Sequence, residues 1–446
     1  MKIDKNANFS DWYNEVIKEA ELCDLRYNIK GFIVIMPWAM KSIDAIYGLY
    51  EKELEKTNHS PAFFPSLIPE RAFKTESDHV EGFVPEVMWV TEAGDKKLEE
   101  RYALKPTGET SIYPMYALWV NGASDLPIKI YQRNWVWRYE TKATKPFIRG
   151  REFLWIEAHD VFRSLEETRA QIVEDIGMAK AVIWNGLGIP FTVFRRPQWD
   201  KFAGADDTFA VDTIMPDGKV LQVATTHMLG QRFAKAFKIK YTNEKGESAF
   251  AHQTCYGPGI SRIYSAMFSV HGDERGLVLP FHAAPVQVAI VPILRKGSEE
   301  KVAAVALGLE KRLLAIGVRA KADLRNQTPG FKFNYWEQKG VSLRVEIGER
   351  DIASGTLVLA TRDDGKRENI PDSELEIKVK EAGGALTLRI KEKALAFFTS
   401  RLDSAENAEE LAKKVEEGRM VLAPFCTDQM EGKDCAGKLK EKYACN

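Results

Sequence analysis

The sequence predicts a mixed α and β protein with about three domains, and three observations support this prediction. The chain has 446 residues, of which 45% are hydrophobic and 28% are charged, as in a globular protein. Residues 127–162 show the period of two that is typical of paired strands. From residue 283 to residue 380, predicted strands and helices alternate, as in a separate α/β domain. We therefore expect an α+β domain over 1–282, an α/β domain over 283–380, and a small α/β or helical domain over 381–446.

Charge and hydropathy exclude several classes of protein. The 63 basic and 64 acidic side chains give a net charge of −1, which excludes a globally basic nucleic-acid coat protein but allows local RNA-binding patches. No apolar run reaches the roughly 18 residues that a membrane-spanning helix needs. The amino-terminal segment lacks the apolar core of a signal peptide. We expect a cytoplasmic protein without a membrane partner, whose five cysteines stay reduced.

The segment PIKIYQRNWVWRYE and the segment FIRGREFLWIEAHDVF are typical of two strands joined by a turn. The period of two places Arg138 and Glu140 on one face of the first strand. We expect one face of the second strand to carry Arg149, Arg151, Phe153, Trp155, Glu157 and His159. Burying so many charges is costly, and large aromatic side chains are unusual on an open surface. We interpret this face as a half-enclosed platform for an anionic, planar ligand; a charged edge hairpin is the alternative.

Local signals place other elements of the first domain. Apolar residues at helical spacing predict a helix over residues 38–56, followed by a strand that ends in proline. Ser164 and Glu167 form a capping-box pattern at the start of another helix. The Gly-Pro-Gly turn at 257–259 precedes Arg262, which we expect near a helix N-terminus. A cation is acceptable there when an anion also binds, and helix N-termini bind phosphates.

Three of these elements occur in the order typical of class II aminoacyl-tRNA synthetases: the helix and strand ending at Pro65, WRYE at 137–140, and GPGISR at 257–262. Longer motifs between residues 10 and 380 resemble the prolyl-tRNA synthetases of the archaeal and eukaryotic type. These motifs are FFPSLIP, DHVEGFVPEVMWVT, LKPTGETSIYP, PFIRGREFLWIEAHD, TTHMLGQRFAK, HGDERGLVLP and PGFKFNYWEQKGVSLRVEIGERD. The resemblance implies an antiparallel sheet with flanking helices. The short interval between Glu140 and Gly257 indicates that the bacterial editing insertion is absent.

The resemblance also implies the substrates, which are ATP, L-proline and tRNA(Pro), with Mg²⁺ as a cofactor. Proline's carboxylate would attack the α-phosphate of ATP, so two anions must meet. Arg138 is expected to bridge the carboxylate and the α-phosphate, because a guanidinium donates to two oxygens at once. Arg149 and Arg262 are expected to hold the β- and γ-phosphates together with Mg²⁺. We regard these three arginines as the catalytic residues.

The other site residues follow from the same resemblance. Thr107 and Glu109 are expected to accept hydrogen bonds from proline's secondary ammonium, although an N-cap before the next helix is an alternative for this turn. The residues implied in proline binding are Thr107, Glu109, Arg138, Phe153, Trp155, Glu157, His159 and His227. The residues implied in ATP binding are Arg138, Glu140, Arg149, Gln222, Thr225 and Arg262. Gln222 is expected to lie near the magnesium ion.

The second domain resembles the anticodon-binding domain of class IIa synthetases. Anticodons for proline end in two guanines, which arginine can recognise through O6 and N7, and a carboxylate through N1 and N2. Glu337, Arg344 and Arg350 match the family positions for this contact, and a surface charge cluster is the alternative. The resemblance also implies a homodimer built on the first helix and strand motif.

Two other functions share part of this sequence pattern. A threonyl enzyme would hold zinc with one cysteine and two histidines, and the sequence shows no cysteine near His159 or His227. A synthetase-like protein that only binds RNA would not need Arg138 and Arg262, and both are present. These observations favour the proline enzyme.

The cysteines near the carboxyl end pose a separate question. Relatives of the archaeal and eukaryotic type carry four zinc-binding cysteines there, and Cys426 and Cys435 resemble the first pair with a wider spacing. Cys445 is a third thiol, and the sequence stops one residue later. A structural zinc site needs four ligands, so we expect these cysteines to be a remnant and predict no stoichiometric zinc.

Overall fold

The computed structural model describes residues 3–72, 87–295 and 297–443. The strands of these residues are β1 Cys23–Asp24, β2 Val34–Ile35, β3 Ser60–Pro61, β4 Leu67–Pro69, β5 Trp89–Ala93, β6 Lys96–Leu104, β7 Ile128–Trp137, β8 Glu152–Phe162, β9 Thr192–Arg195, β10 Asp207–Ile214, β11 Val220–Gly230, β12 Lys240–Thr242, β13 Ser248–Phe250, β14 His252–Pro258, β15 Val288–Ile293, β16 Ala320–Ala322, β17 Leu343–Gly348, β18 Thr356–Thr361, β19 Arg367–Pro371, β20 Leu402–Ser404 and β21 Met420–Leu422.

The helices complete this list. They are α1 Phe9–Glu19, α2 Pro37–Lys56, α3 Glu109–Trp119, α4 Leu165–Ala179, α5 Arg232–Phe237, α6 Ile260–His271, α7 Glu299–Ala315, α8 Pro329–Gln338, α9 Glu349–Ser354, α10 Leu375–Ser400, α11 Ala408–Glu416 and α12 Lys433–Tyr443. A π-helical turn, Lys180–Gly186, continues α4. Most of the DHVEGFVPEVMWVT motif and Cys445 lie outside the described residues.

The first domain is built on a seven-stranded sheet with the order β3-β7-β8-β14-β11-β10-β9. Every neighbouring pair is antiparallel except β3 and β7. The expected antiparallel sheet is therefore confirmed. Most neighbouring strands of this sheet require no long crossover connection, because antiparallel strands can be joined by short turns.

The hairpin predicted for residues 127–162 is confirmed, since β7 and β8 pair in antiparallel register along their whole length. The prediction that Arg149 and Arg151 belong to the second strand is wrong, because β8 begins only at Glu152. Both arginines lie in the irregular connection, where the backbone of Arg149 bridges Lys145. This connection bends back over the sheet and carries Arg149 into the cleft described below.

Helices cover the other side of the sheet and bury its apolar face. The predicted helix over residues 38–56 is confirmed as α2, whose buried face includes Ile43, Ile46 and Tyr50. Trp12 of α1 and several side chains of α6 join the same core. The capping box of Ser164 at the start of α4 is also confirmed. Amphipathic spacing was sufficient to predict these helices because one face of each is buried.

The second domain has a five-stranded sheet with the order β16-β15-β17-β18-β19. β15 is parallel to both of its neighbours, and the remaining pairs are antiparallel. Helices α7 and α10 share its apolar core through Leu309 and Val379. Helix α10 runs without a break from Leu375 to Ser400, so the expected boundary at residue 380 falls inside it.

The two domains meet through buried charges. Arg362 of the second domain donates from Nη1 and Nη2 to both carboxylate oxygens of Asp273, at 2.9 and 2.7 Å. Its side chain is almost fully buried, so the paired carboxylate compensates a charge that would be costly to leave alone. This contact follows α6 directly and ties the second domain to the element that carries Arg262.

The carboxyl-terminal unit after α10 is small. β20 and β21 form a parallel pair, and α11 packs beside them. The segment after β21 returns to the first domain and contacts the end of β9. Across the described residues, none of the helices combines the length and the hydropathy that crossing a bilayer requires.

Candidate active site

A cleft of about 590 Å³ opens over one end of the seven-stranded sheet. Its walls come from segments far apart in the chain: the turn before α3, the connection between β7 and β8, the loop after β9, and the start of α6. The predicted site residues that line it are Thr107, Glu109, Arg138, Glu140, Arg149, Phe153, Trp155, Gln222, Thr225, His227 and Arg262. Motifs that are separate in sequence therefore share one cavity.

Thr107 and Glu109 form one end of the cleft and are both almost fully buried. The hydroxyl of Thr107 donates to Oε2 of Glu109. The alternative in which this turn supplies a side-chain N-cap is wrong, because the N-cap residue of α3 is Gly108, which has no side chain to accept a hydrogen bond from the helix backbone. The pair instead directs a carboxylate and a hydroxyl oxygen into the cavity, where a cationic amine could bind.

Arg138 follows β7 and stands at the centre of the cleft. Its Nε donates to the backbone oxygen of Pro106 at 3.0 Å. Its guanidinium carbon lies 5.5 and 5.2 Å from the ring centroids of Phe153 and Trp155, which stack on each other at 5.8 Å. These contacts hold the planar group in one orientation, and its other N–H donors make no hydrogen bond to the described residues, so they can meet anionic oxygens.

Two more arginines concentrate positive charge on one side of Arg138. Arg262, in the first turn of α6, donates from Nε to the backbone oxygen of Ile148 at 3.0 Å. Burial, followed by the like charges of Arg138 and Arg149, lowers the pKa of Arg262 to about 10. Nε of Arg149 lies 3.6 Å from Oε2 of Glu140. Like charges at such close quarters are stabilised when a polyanion binds between them.

His227 lies on β11 beside the aromatic wall of the cleft. Its Nδ1 is 2.9 Å from Oγ1 of Thr208, and its ring is 4.9 Å from the ring of Phe202. Burial, and then the charges of His159 and Arg138, lower the pKa of His227 to about 3. The imidazole is therefore neutral at ordinary pH, which avoids repulsion with a cationic ligand nearby.

Glu157 and His159, expected on the pocket face, do not line the cleft; the structure places them one layer beneath it. Oε1 of Glu157 accepts from Gln132 and Asn134 at 2.8 Å each, and Oε2 lies 3.1 Å from Nε2 of His159. Gly108 covers this pair closely, since a Cβ there would lie 2.6 Å from Oε1 of Glu157. Period-two alternation gave the correct face of β8 but not the depth of each residue.

The statement that no cysteine lies near the histidines is wrong. Sheet pairing puts Cys255 of β14 between His159 of β8 and His227 of β11, and its Sγ is 3.8 Å from Nε2 of His159. The ligand-type atoms of Glu109, His159 and Cys255 lie within 4.8 Å of one another. The cysteine content of the sequence therefore does not exclude a threonyl enzyme.

The structure adds cleft residues that motif reasoning missed. The loop between β9 and β10 contributes Arg196, Asp200, Lys201 and Phe202, and β10 contributes Thr208. The only signal for them in the sequence is the mixture of cations and aromatic residues in RRPQWDKF. Such a mixture is also common in surface loops, so it does not by itself predict a binding wall.

The residues expected to read an anticodon lie in the second domain, and two of them are already paired. Oε1 of Glu337, near the end of α8, accepts from Nη1 of Arg275 at 3.1 Å. Arg344 of β17 is mostly buried and donates to Oε1 of Glu346 at 3.0 Å. Arg350 is exposed on α9. Glu337 therefore lies at the junction with the first domain.

The zinc question concerns the residues after β21. Cys426 and Cys435 are both exposed, and a hydrogen bond with Cys426 raises the pKa of Cys435. Cys445 lies outside the described residues, so the three thiols cannot be compared as a set. The expectation that zinc is absent stays a prediction.

Comparison with known families agrees with the two-domain architecture. The family described as "tRNA synthetase class II core domain (G, H, P, S and T)" matches residues 89–271. The family described as "Anticodon binding domain" matches residues 287–382. These matches define the class of protein, a class II aminoacyl-tRNA synthetase.

Curated relatives identify the family within this class. A proline–tRNA ligase of Thermofilum pendens is 50% identical over 99% of this chain and 91% of its own length. One of Pyrococcus horikoshii is 42% identical over 98% of this chain and 90% of its own length. The chain belongs to the proline–tRNA ligase family. This identification confirms the resemblance described above and is incompatible with the threonine alternative.

Solved structures of prolyl-tRNA synthetases share the fold of this chain. The prolyl-tRNA synthetase of Giardia lamblia, determined in complex with prolyl-adenylate, superposes with a TM-score of 0.93 at 38% identity, covering 99% of this chain and 92% of its own. The prolyl-tRNA synthetase of Cryptosporidium parvum, complexed with halofuginone and AMPPNP, superposes with a TM-score of 0.92 at 35% identity. This match covers 99% of this chain and 88% of the other. The predicted fold is confirmed.

The buried pair of Glu157 and His159 predicts a specific pH dependence of stability. Burial opposes both charges, but the hydrogen bond and charge between the two side chains lower the pKa of Glu157 and raise that of His159. The stabilisation from Glu157 is present above its unfolded pKa of 4.5 and is lost as pH falls. That from His159 is present below 6.5 and is lost as pH rises through its raised pKa.

Replacing Glu157 with glutamine should therefore lower the thermal unfolding midpoint most between about pH 4.5 and 6.5, with the difference shrinking at higher pH. Thermal unfolding of both proteins from pH 4 to pH 9 checks this. Glu55→Gln, an exposed isosteric change on α2, serves as the control. A difference that grows steadily toward pH 9 would contradict the charged pair.

Proposed function

We propose that this chain ligates L-proline to tRNA(Pro) in an ATP-dependent reaction through prolyl-adenylate. The observation that carries the proposal is the position of Arg138, between the Thr107–Glu109 pair and the arginines Arg149 and Arg262. One side of the cleft suits a small ammonium group and the other suits a polyphosphate. The names of the relatives and the prolyl-adenylate in the Giardia lamblia structure support the same reaction.

In the activation step, a carboxylate oxygen of proline attacks the α-phosphorus of ATP. A new oxygen–phosphorus bond forms, the bond to the bridging oxygen of pyrophosphate breaks, and pyrophosphate leaves with the electron pair. No protein nucleophile is needed, so catalysis consists of positioning and charge stabilisation. The fork of Arg138 can donate to the attacking carboxylate and to the α-phosphate together, which brings two anions into contact.

Proline would bind at the Thr107–Glu109 end. Its secondary ammonium carries two N–H donors, which match the carboxylate of Glu109 and the hydroxyl of Thr107. The ring would pack against Trp155 and the neutral His227. Glu157 supports this end from below through the turn at Gly108. We therefore assign Glu157 a role in shaping the pocket and not in contacting the substrate.

ATP would bind on the arginine side. Arg149 and Arg262 supply the charge for the β- and γ-phosphates, and Arg262 also has the N-terminus of α6 beside it. Thr225 borders the same space. The amide oxygen of Gln222 and the carboxylate of Glu140 are hard oxygen donors of the kind that Mg²⁺ prefers, so the residues fit this ion. When bound, Mg²⁺ neutralises and orients phosphate oxygens.

In the second step, a hydroxyl of the terminal ribose of tRNA attacks the prolyl carbonyl carbon, and AMP leaves. Selection of the tRNA is assigned to the second domain, through Glu337, Arg344 and Arg350. Because Glu337 is engaged by Arg275 of the first domain, an anticodon base that binds it competes with an interdomain contact. Anticodon recognition and domain placement would thereby be linked.

We also propose that the chain works as a homodimer in the cytoplasm, where ATP and tRNA are found. Leu25, Ile29 and Trp135 are exposed apolar side chains that line one groove of about 420 Å³. A second copy of this chain would bury this surface, as contiguous apolar patches on soluble proteins commonly mark interfaces. The sequence resemblance implies an interface on the first helix and strand motif, and β7 adjoins that motif through the ion pair of Arg133 with Asp44.

Arg138→Ala should reduce proline-dependent ATP–pyrophosphate exchange by about 100-fold or more, because one charge-assisted contact to the transition state is lost. Arg133→Ala is the matched control, since Arg133 lies on β7, the strand that leads into Arg138, but pairs with Asp44 outside the cleft. The measurement is steady-state exchange without tRNA. Near wild-type exchange in Arg138→Ala would remove this residue from the mechanism.

Arg344→Ala should leave exchange unchanged and weaken tRNA charging by about 1–3 kcal/mol, which is the usual cost of one lost guanine contact. Arg367→Ala provides the control, because Arg344 and Arg367 both donate to Glu346. If Arg344 acts only by supporting Glu346, both variants will charge tRNA equally poorly. If it reads the anticodon, only Arg344→Ala will show the loss.

A further inference from the structure

The carboxyl-terminal unit reaches back to the loop that forms one wall of the cleft. The ring of Phe425 lies 5.9 Å from the ring of Trp199. The backbone N–H of Gln198 donates to the backbone oxygen of Asp428 at 2.8 Å. Asp428 also accepts from Arg195 at 3.0 Å through its carboxylate. Segment 425–432, here named the terminal segment, therefore holds the outer side of this loop through aromatic, backbone and ionic contacts.

Gly432 is the tightest point of this contact. A Cβ at Gly432 would meet the backbone oxygen of Thr427, in the same segment, and would lie 2.6 Å from the ring of Trp199, which is closer than real Cβ atoms come. The missing side chain therefore lets the terminal segment turn tightly and lets the ring of Trp199 pack directly on its backbone. Gly437, on the following helix α12, has no atom of the described residues within 4 Å of an added Cβ. Both constraints act at Gly432 and neither acts at Gly437.

The inner side of the same loop belongs to the active site. Asp200, Lys201 and Phe202 follow Trp199 directly and line the cleft. The backbone N–H of Phe202 donates to Oγ1 of Thr208 at 3.0 Å, and that oxygen lies 2.9 Å from Nδ1 of His227. One short loop thus joins the terminal segment on its outside to the proline end of the cleft on its inside.

A second contact supports the neighbouring hairpin. The turn between β10 and β11 contains Gly218 at a φ of +79°, and an added Cβ would lie 2.7 Å from Cα of Gly418. Gly418 belongs to the turn before β21 of the carboxyl-terminal unit. The strands joined at this hairpin carry Thr208 and His227. The carboxyl-terminal unit therefore also contacts the turn of this hairpin, at the opposite end from the paired residues Thr208 and His227.

We propose that the terminal segment positions the 195–202 loop and so sets the affinity of the active site for proline. Phe425, Asp428 and Gly432 are positioning residues, since none of them lines the cleft. The proposal rests on the proposed activation of proline and adds a specific role for the carboxyl-terminal unit. Loss of the contact lets the wall that carries Phe202 move away from His227, which weakens proline binding before it affects chemistry.

The test compares Gly432→Ala with Gly437→Ala, the same substitution in the same unit with and without a contact to Trp199. In proline-dependent exchange, Gly432→Ala should raise the KM for proline about tenfold, because displacement of a positioning group by even 1 Å has effects of this size or larger. Its kcat should stay within about twofold, as expected when binding of the ground state and of the transition state is weakened equally. Gly437→Ala should match the wild-type protein.

A second pair of variants covers the case in which Gly432→Ala does not fold. Trp199→Ala and Phe425→Ala should each raise the KM for proline, and the double variant should raise it no further, because both remove one shared contact. Leu422→Ala, three-quarters exposed at the end of β21, is their control. Active-site titration corrects every rate for misfolded protein.

The outcomes separate the two proposals. If the wild-type protein shows no proline-dependent exchange, the proposed function fails and this inference fails with it. If the wild-type protein is active and the KM values of Gly432→Ala, Trp199→Ala and Phe425→Ala equal those of their controls, only the inference is overturned. An equal rise in the KM for proline in both glycine variants would also overturn it, since Gly437 does not contact Trp199.

Discussion

The rest of the catalytic domain depends on one electrostatic constraint, the crowding of three guanidinium groups in one cleft. Arg138, Arg149 and Arg262 come from three separate segments, and the pKa of Arg262 falls because burial and the other two charges disfavour its protonation. Backbone oxygens accept from two of the three and so compensate part of the cost. A bound polyphosphate would compensate the remainder.

The antiparallel sheet gives this charge cluster its geometry. Because β14 pairs with both β8 and β11, residues about 30 to 100 positions apart become direct neighbours, as His159, Cys255 and His227 do. The three arginines lie just after β7, in the connection before β8 and in the first turn of α6, so the sheet and the helix behind it set their spacing. The polar network of Glu157 lies beneath the turn at Gly108, which is flanked by Thr107 and Glu109.

Much of the fold and of the candidate site was predictable from the sequence. The exceptions all depend on contacts between segments that are distant in the chain. Local periodicity and capping predicted α2, the β7–β8 hairpin and the start of α4, because these signals depend on near neighbours. The depth of Glu157 and His159 was not predictable, since alternation gives a face and not the layers that cover it. The proximity of Cys255 to His159 and the partner of Glu337 depend on pairing between distant segments. The loop at 196–202 has no regular pattern, so only its position in the fold shows its place on the cleft wall.

The carboxyl-terminal unit fits the same account. It packs behind a cleft wall that is made from an irregular loop, residues 196–202. A loop has fewer backbone hydrogen bonds to hold it, so an external support matters most there. The domains added to the catalytic core therefore serve its geometry as well as tRNA selection.

Whether the cleft joins proline to AMP is measured by ATP–pyrophosphate exchange with each of the twenty amino acids in the absence of tRNA. Proline should support exchange far better than threonine or any other amino acid. Exchange driven best by threonine, or no exchange with any amino acid in folded protein, would mean that the cleft does not activate proline.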